Sequence, residues 1–272
     1  MNNYFRCYAE VSLSAIGHNI REVRKQISPE TKLLIVIKAD AYGHGAVKVA
    51  RFMEDQADYF GVATIDEAVS LREGGIRHPI LILGYTSPSQ YPELVTYDIA
   101  QTIYSMDTAR KLNEEAKRQG RKARVHVAVD TGMTRIGFQV TEEDADEIRA
   151  VSLLSEINLE GLYTHFSRAD EMDKSYSLIQ AQKYRKMLDM LEKRGVQIPL
   201  KHICNSAGIM EFKDYRYDMV RCGIVTYGIY PSEEVQKSQL DLKPALQWKA
   251  HVIHVKDVPK GVGGRCMMCG YC

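Results

Sequence analysis

The sequence predicts a closed parallel (β/α)8 barrel of the TIM type, followed by the start of a β domain. Three observations carry that prediction. Eight short β-branched or apolar runs alternate with longer amphipathic segments through most of the 272 residues. Such alternation leaves a doubly wound sheet or a closed barrel, and eight regular units over about 200 residues favour the barrel. No Gly-rich turn follows the first run, which weakens the case for a nucleotide-binding sheet.

The elements follow in order. Tyr8-Ala9-Glu10-Val11-Ser12-Leu13 alternates like a strand and precedes a first helix over residues 15–27. Barrel strands are expected at Leu33–Ile37, Tyr59–Ala63, Pro79–Leu83, Ile99–Ile103, Arg124–Val129, Asn158–Thr164, Lys201–Cys204 and Met219–Val225. Helical patterns lie between them at Ala46–Asp55, Ile65–Glu73, Pro88–Thr96, Asp107–Gln119, Glu142–Leu154 and Tyr176–Arg194, and a shorter one follows Asn205. Asp107, Thr141 and Ser175 stand where side-chain caps would help, and Gly120 and Gly195 where helices would stop. Beyond Pro244, Leu246–Val255 reads as a further strand outside the repeat. The expected division is residues 1–13 as a strand of the β module, 14–231 as the barrel, 232–263 as the start of the C-terminal β domain, and 264–272 as a Cys-rich tail. Unpaired, such outlying strands would expose edges prone to association.

Composition narrows the function classes. Lys plus Arg number 36 against 35 for Asp plus Glu, so the charge balance predicts no nucleic-acid or acidic-membrane partner. The longest aliphatic run, Leu33–Ile37, is far short of the roughly 20 apolar residues that span a bilayer. The start, Met1-Asn2-Asn3-Tyr4, lacks the basic-then-apolar pattern of a secretion signal, so a cytoplasmic location is expected. Cys7, Cys204 and Cys222 are scattered, as thiols in a reducing compartment usually are, whereas Cys266, Cys269 and Cys272 crowd the tail.

Reactive groups in a barrel belong at the C-terminal ends of strands. Lys38 directly follows the first barrel run, Arg135 lies in the loop after the fifth, and His165 ends the sixth. Asn205 and Ser206 end the seventh, and Arg221 lies in the eighth. Singly, each is more often a solvated loop residue; together they describe one mouth. Lys38 continues the apolar run Leu-Leu-Ile-Val-Ile, where partial desolvation favours the nucleophilic amine over a lysine that merely snorkels to solvent.

The stretch Val36-Ile37-Lys38-Ala39-Asp40-Ala41-Tyr42-Gly43-His44-Gly45 resembles the motif of alanine racemases that carries the lysine for pyridoxal 5′-phosphate (PLP). Val129-Asp130-Thr131-Gly132-Met133-Thr134-Arg135-Ile136-Gly137, Tyr163-Thr164-His165-Phe166, His202-Ile203-Cys204-Asn205-Ser206-Ala207 and Asp218-Met219-Val220-Arg221-Cys222-Gly223-Ile224 match further motifs of that family, in family order. The similarity covers about residues 4–263 and independently implies the barrel. It implies that Lys38 holds PLP and, once freed, acts as the base on one face of the substrate Cα. Tyr42 would hydrogen-bond the cofactor phosphate, with the Ser206 hydroxyl and the N–H groups of Ser206, Gly223 and Ile224. Arg221 would face the pyridine nitrogen, supported by His165 and Asn205. Permanently charged, it leaves that nitrogen unprotonated and restrains the electron sink. Arg135 would engage the cofactor's phenolic oxygen and the carboxylate of a small amino-acid substrate. Many family members have a lysine two residues before the aspartate of the Asp-Thr-Gly-Met motif; here that position is Ala128, so some other group must orient Arg135.

The end of the chain departs from the family. Racemisation takes a proton from one face of Cα and returns it on the other, and the resemblance implies a second base, a tyrosine from the partner subunit's C-terminal β domain. It would follow the stretch reading here Val258-Pro259-Lys260-Gly261-Val262-Gly263; instead Gly264-Arg265-Cys266-Met267-Met268-Cys269-Gly270-Tyr271-Cys272 follows. Three closely spaced cysteines without an obvious fourth ligand are a weak zinc or iron–sulfur signature, and no metal is expected. The reading is therefore an alanine racemase, making D-alanine for peptidoglycan, represented by its barrel and a truncated β domain. The family is homodimeric, and this chain would keep few of the dimer contacts. It would bind PLP and turn alanine over weakly or not at all. Two rivals are a serine racemase of the same fold and a non-catalytic PLP-binding barrel; the Arg135 motif argues against the second, whereas the truncated β domain argues for it.

Overall fold

The computed structural model describes residues 6–262. The cysteines of the tail, Cys266, Cys269 and Cys272, lie outside the described residues. The chain divides into two compact units, residues 11–245 and a smaller one that includes residues 6–10 and 246–262.

The larger unit begins with α1 (Leu13–Gln26), capped by Ser12, whose Oγ accepts the Ala15 N–H at 3.2 Å. Eight parallel strands follow: β2 (Lys32–Val36), β3 (Tyr59–Val62), β4 (Ile80–Ile82), β5 (Ala100–Ile103), β6 (Ala123–Ala128), β7 (Ile157–Tyr163), β8 (Leu200–His202) and β9 (Met219–Cys222). From β2 to β8 each pairs with the next in sequence, and β9 returns to pair with β2. The Asp218 N–H donates to Lys201 O at 3.1 Å and the Arg221 N–H to Cys204 O at 3.0 Å, which brings β9 against β8 and closes the ring. The predicted (β/α)8 barrel is the observed fold.

The helices α2 (Ala46–Met53), α3 (Ile65–Glu73), α4 (Tyr91–Thr96), α5 (Met106–Arg118), α6 (Glu142–Ser152), α7 (Ser175–Lys193) and α8 (Ser206–Glu211) occupy the crossovers. Strand periodicity of two sorts the side chains. Leu33, Ile35 and Ile37 belong to the large cluster shared with Ile16, Ile20 and Val23 of α1, whereas Leu34, Val36, Leu81, Ala100, Leu200 and Met219 form a second cluster. Fully burying one such aliphatic side chain contributes about 1.5–3 kcal/mol, so these two layers supply most of the driving force. The segment 232–245 packs with the barrel, burying Val235, Leu240 and Ala245 in the first cluster.

Local details depart from expectation in informative ways. Thr141 does cap α6, accepting the Asp144 N–H at 3.1 Å, and Gly120 and Gly195 follow helix ends with φ of 64° and 72°. The cap of α5 is Ser105 rather than Asp107, because Ser105 has the extended backbone a cap requires and accepts the Thr108 N–H at 3.3 Å. Asp107 instead sits in the first turn, where a carboxylate complements the helix dipole. Ser175 is likewise inside its helix, donating its N–H to Asp173 Oδ1 at 2.9 Å. The last barrel strand stops at Cys222 rather than Val225, because Gly223 breaks the extended backbone and residues 224–227 wind into a 3-10 turn.

In the smaller unit β1 (Cys7–Val11) meets β10 (Leu246–Ala250) in a two-stranded sheet. Lys249 pairs with Glu10 at 2.6 Å, and Trp248 is 73% exposed. No helix among the described residues is long and apolar enough to cross a membrane.

Candidate active site

The inward row of each strand, carried past its C-terminal end, delivers the site. Lys38 continues the row of Leu34 and Val36, Arg221 that of Met219, and His202 that of Leu200. These rows open into a cavity of about 620 Å³, within the range of small-molecule sites. Lys38, Tyr42, Arg135, His165, Asn205, Ser206, Arg221, Gly223 and Ile224 all line it. The residues predicted from strand ends and from motifs therefore converge on one mouth.

Lys38 begins an unusual turn, Lys38–Gly43. Ala39, Asp40, Ala41 and Tyr42 all have left-handed backbone, with φ between 51° and 55°. L-residues resist this region by about 1–2 kcal/mol each, so the surroundings must impose it. Three clamps do so. Glu67 of α3 accepts the Ala39 N–H at 2.8 Å through Oε1 and the Ala63 N–H at 2.7 Å through Oε2. Asp40 Oδ1 accepts the Ala46 N–H at 2.7 Å. His44 Nδ1 stands 2.9 Å from Ala41 O and 3.1 Å from Tyr42 O, and two carbonyl acceptors require the proton on that nitrogen. The turn thereby points Lys38 and Tyr42 into the same cavity.

Arg221 is 2% exposed, and acceptors meet both of its terminal nitrogens. Its Nη2 donates to Thr164 O at 2.8 Å and Ile203 O at 3.0 Å, and its Nη1 to His202 O at 3.2 Å and His202 Nδ1 at 2.9 Å. The guanidinium also lies 5.1 Å from the Tyr163 ring centroid. His165 Nδ1 is 3.3 Å from Nη2, and Asn205 reaches Arg221 only through His165, whose Nε2 is 3.4 Å from Asn205 Nδ2. Burial, reinforced by Arg221, Arg135 and Lys38, pushes His165 down to about 3, so it is neutral near pH 7.

Across the cavity, Ser206 Oγ accepts the Gly223 N–H at 3.0 Å, which occupies one amide that the motifs assign to a phosphate and leaves the hydroxyl hydrogen to donate. A Cβ on Gly223 would meet Ser206 Oγ at 3.4 Å and the Tyr42 hydroxyl at 3.9 Å. The missing side chain is therefore what opens a bare-backbone cradle between two hydroxyls. Tyr42 is backed by Tyr227, 5.1 Å between ring centroids, and Tyr227 donates to Val36 O at 2.9 Å.

Arg135 reaches the cavity from a loop held by Asp130, whose Oδ1 accepts the N–H groups of Gly132 at 2.9 Å and Thr134 at 3.0 Å. Gly137, at φ 135°, is required there, because a Cβ would strike the Asp130 backbone nitrogen at 2.5 Å. Arg135 has no ion-pair partner among the described residues. Beside it, Ala128 and Arg135 border a void of about 20 Å³.

Several participants carry roles that sequence reasoning did not assign. Tyr227 buttresses Tyr42, Tyr163 stacks 4.9 Å from His202, and Asp170, Tyr85 and Ile136 complete the lining. Tyr163 stands two residues before His165 and His202 three before Asn205, both inside quoted motifs, and inward strand parity is the signal that could have found them. No group of His, Cys, Asp and Glu able to hold a metal occurs among the described residues.

With this geometry in hand, comparison with known proteins is direct. A family profile described as alanine racemase, N-terminal domain, matches residues 11–231. The alanine racemase of Desulforamulus reducens is 47% identical over 255 residues, covering 93% of this chain and 69% of that protein. That of Methanococcus maripaludis is 42% identical over 254 residues, covering 93% and 68%. Alanine racemase 1 of Caldanaerobacter subterraneus is covered over 65% of its length, so the chain spans about two thirds of these relatives. Among solved structures, the alanine racemase of Clostridium difficile 630 in complex with cycloserine superposes with a TM-score of 0.92 at 45% identity, covering 94% of this chain and 71% of that one. The Bacillus anthracis enzyme with bound L-Ala-P gives 0.87 at 32% identity, covering 97% and 69%. The chain belongs to the alanine racemase family.

Proposed function

We propose that this chain holds PLP through Lys38 and, as an alanine racemase, interconverts L- and D-alanine. The observation supporting this most strongly is the convergence of an amine, a bare-backbone cradle and two guanidinium groups on one cavity at the C-terminal mouth. PLP supplies an electrophilic carbon for an amine and a ring that accepts electron density when an α-proton leaves.

The residues present fit that group. The Tyr42 and Ser206 hydroxyls and the backbone around Gly223 and Ile224 suit a phosphate, since two hydroxyl donors border a gap with no Cβ, although the Gly223 N–H is itself held by Ser206. Arg221 suits the ring nitrogen. A guanidinium donates hydrogen bonds and gives up no proton near pH 7, so it stabilises an unprotonated nitrogen. Lys38 Nζ would hold the cofactor and, when free, would take the α-proton on its side of the cavity. Arg135, free of any ion pair among the described residues, binds the substrate carboxylate through paired N–H donors and aligns Cα with Lys38. We also infer that β1 and β10 begin a second, β-rich domain and that the protein works in the cytoplasm, where thiols such as Cys204 and Cys222 stay reduced.

Borohydride reduction of PLP-treated protein, followed by peptide mapping, tests the reading. The pyridoxyl mass is expected on Lys38 and on no other lysine; its absence there, or its presence elsewhere, refutes the site. An assay with L-alanine and L-serine then tests the substrate, and preference for serine would move the reading to a serine racemase.

A further inference from the structure

Beneath the cavity, a file of polar side chains runs down the barrel interior, and its polarity can be deduced atom by atom. A guanidinium has no acceptor, so the 2.9 Å contact of Arg221 Nη1 with His202 Nδ1 requires a lone pair on that nitrogen. Neutral His202 therefore carries its proton on Nε2. That nitrogen lies 2.9 Å from His126 Nδ1, which must accept in turn, placing the proton of His126 on Nε2. The His126 Nε2 is buried and has no hydrogen bond; Glu160 Oε2 lies 3.9 Å away. Glu160 is itself held by Arg124, at 2.7 Å and 3.0 Å. The file thus reads Arg221, His202, His126, Glu160, with every N–H directed away from the cavity and toward the carboxylate.

The barrel is built to admit this file. The pairing of β6 with β7 shifts register between Val125 and His126, and Gly161 stands opposite, where a Cβ would collide with the His126 ring. A bulge with a glycine beside it is a device for seating a side chain that the regular ladder would exclude. Both imidazoles are fully buried, and burial holds both below the ordinary histidine range, so neither adds a second positive charge beside Arg221.

We propose that Glu160 and His126 are positioning residues for Arg221: the carboxylate polarises two neutral imidazoles in series, so that His202 presents a strengthened acceptor and Arg221 is held as the cation facing the cavity. The link to the cofactor rests on the PLP reading above, whereas the polarity of the file does not.

The first measurement needs no variant and no cofactor. Side-chain ¹⁵N spectra of the cofactor-free protein are expected to show His126 and His202 neutral at pH 7, each with its proton on Nε2. A proton on His202 Nδ1, or an imidazolium at either site, overturns the proposal. The second measurement is PLP binding, followed by absorbance. Glu160→Gln keeps the shape of the side chain and removes its charge, and is expected to weaken PLP binding about three- to tenfold, roughly 0.7–1.4 kcal/mol. In a His126→Leu background the same change is expected to have no further effect, because the file is already cut. An equal loss in both backgrounds, or none in the wild type, overturns transmission through the imidazoles. Failure of the wild type to bind PLP would instead refute the cofactor reading and leave the spectra to decide the file.

Discussion

Two arginines belong to the same strand–loop unit and meet opposite fates. Arg124, at the start of β6, lies between Glu160 at 2.7 Å and Asp98 at 3.4 Å, and also bonds the Tyr59 hydroxyl at 3.4 Å. Arg135, in the loop after β6, lines the cavity without an ion pair among the described residues. The N-terminal end of the barrel thus satisfies its charges internally, and the C-terminal end leaves them for a ligand. That division matches the general separation of stability and chemistry in this fold, and here it can be read from the partners of single side chains.

The sharpest way to break the comparison is at Lys38. Lys38→Ala should abolish covalent capture of PLP, while the thermal midpoint moves little. A large drop in midpoint would mean that the mouth carries stability after all. Acid should act next most strongly, through the interior histidines. His126, His165 and His202 all have folded pKa values below the ordinary 6.5, so the native state keeps them neutral while the unfolded chain binds protons. The sign follows: stability is full above about pH 6.5 and falls as pH drops below it. Urea titrations between pH 7 and pH 5 measure this, and a flat profile would refute it. Glu160 acts in a lower window. Burial alone would raise its pKa, but His126 and Arg124 bring it down to about 2, so its contribution is lost between about pH 4.5 and 2.

The two arginines themselves give the smaller effects. Arg135→Gln should weaken binding of L-alanine to the PLP-loaded protein about 30- to 100-fold with an unchanged thermal midpoint, the loss of a charge-assisted carboxylate contact. Arg124→Leu should leave PLP binding near normal and cost about 2 kcal/mol by orphaning a partly buried carboxylate, a fall in midpoint of roughly 4–8 °C. If these outcomes were exchanged, the assignment of the two ends would be reversed.

Much of the architecture was legible because it is written locally. Each barrel strand announces itself in a short apolar run, and Lys38, His165 and Asn205 follow their runs directly. Family motifs added Tyr42, Gly223 and Ile224, whereas Tyr85 and Asp170 of the lining lie in no motif. Cap positions were misread at Asp107 and Ser175 because a cap is selected by backbone conformation as well as by side-chain type. The left-handed turn over Lys38–Gly43 had no glycine signal across Ala39, Asp40, Ala41 and Tyr42, since a carboxylate 28 residues beyond Ala39 helps to impose it.

The chain alone determined the alternation, the fold class and the chemical inventory of the mouth, because periodicity and residue type are properties of neighbours in sequence. Tertiary structure decided which charges are satisfied and which are left open. Arg221, His202, His126 and Glu160 come from four different strands or strand ends, and only closure of the ring brings Nη1 within 2.9 Å of an imidazole and seats that ring on the next. Hydrogen-bond direction depends on distances of a few tenths of an ångström between segments far apart in the chain, and no local pattern encodes them.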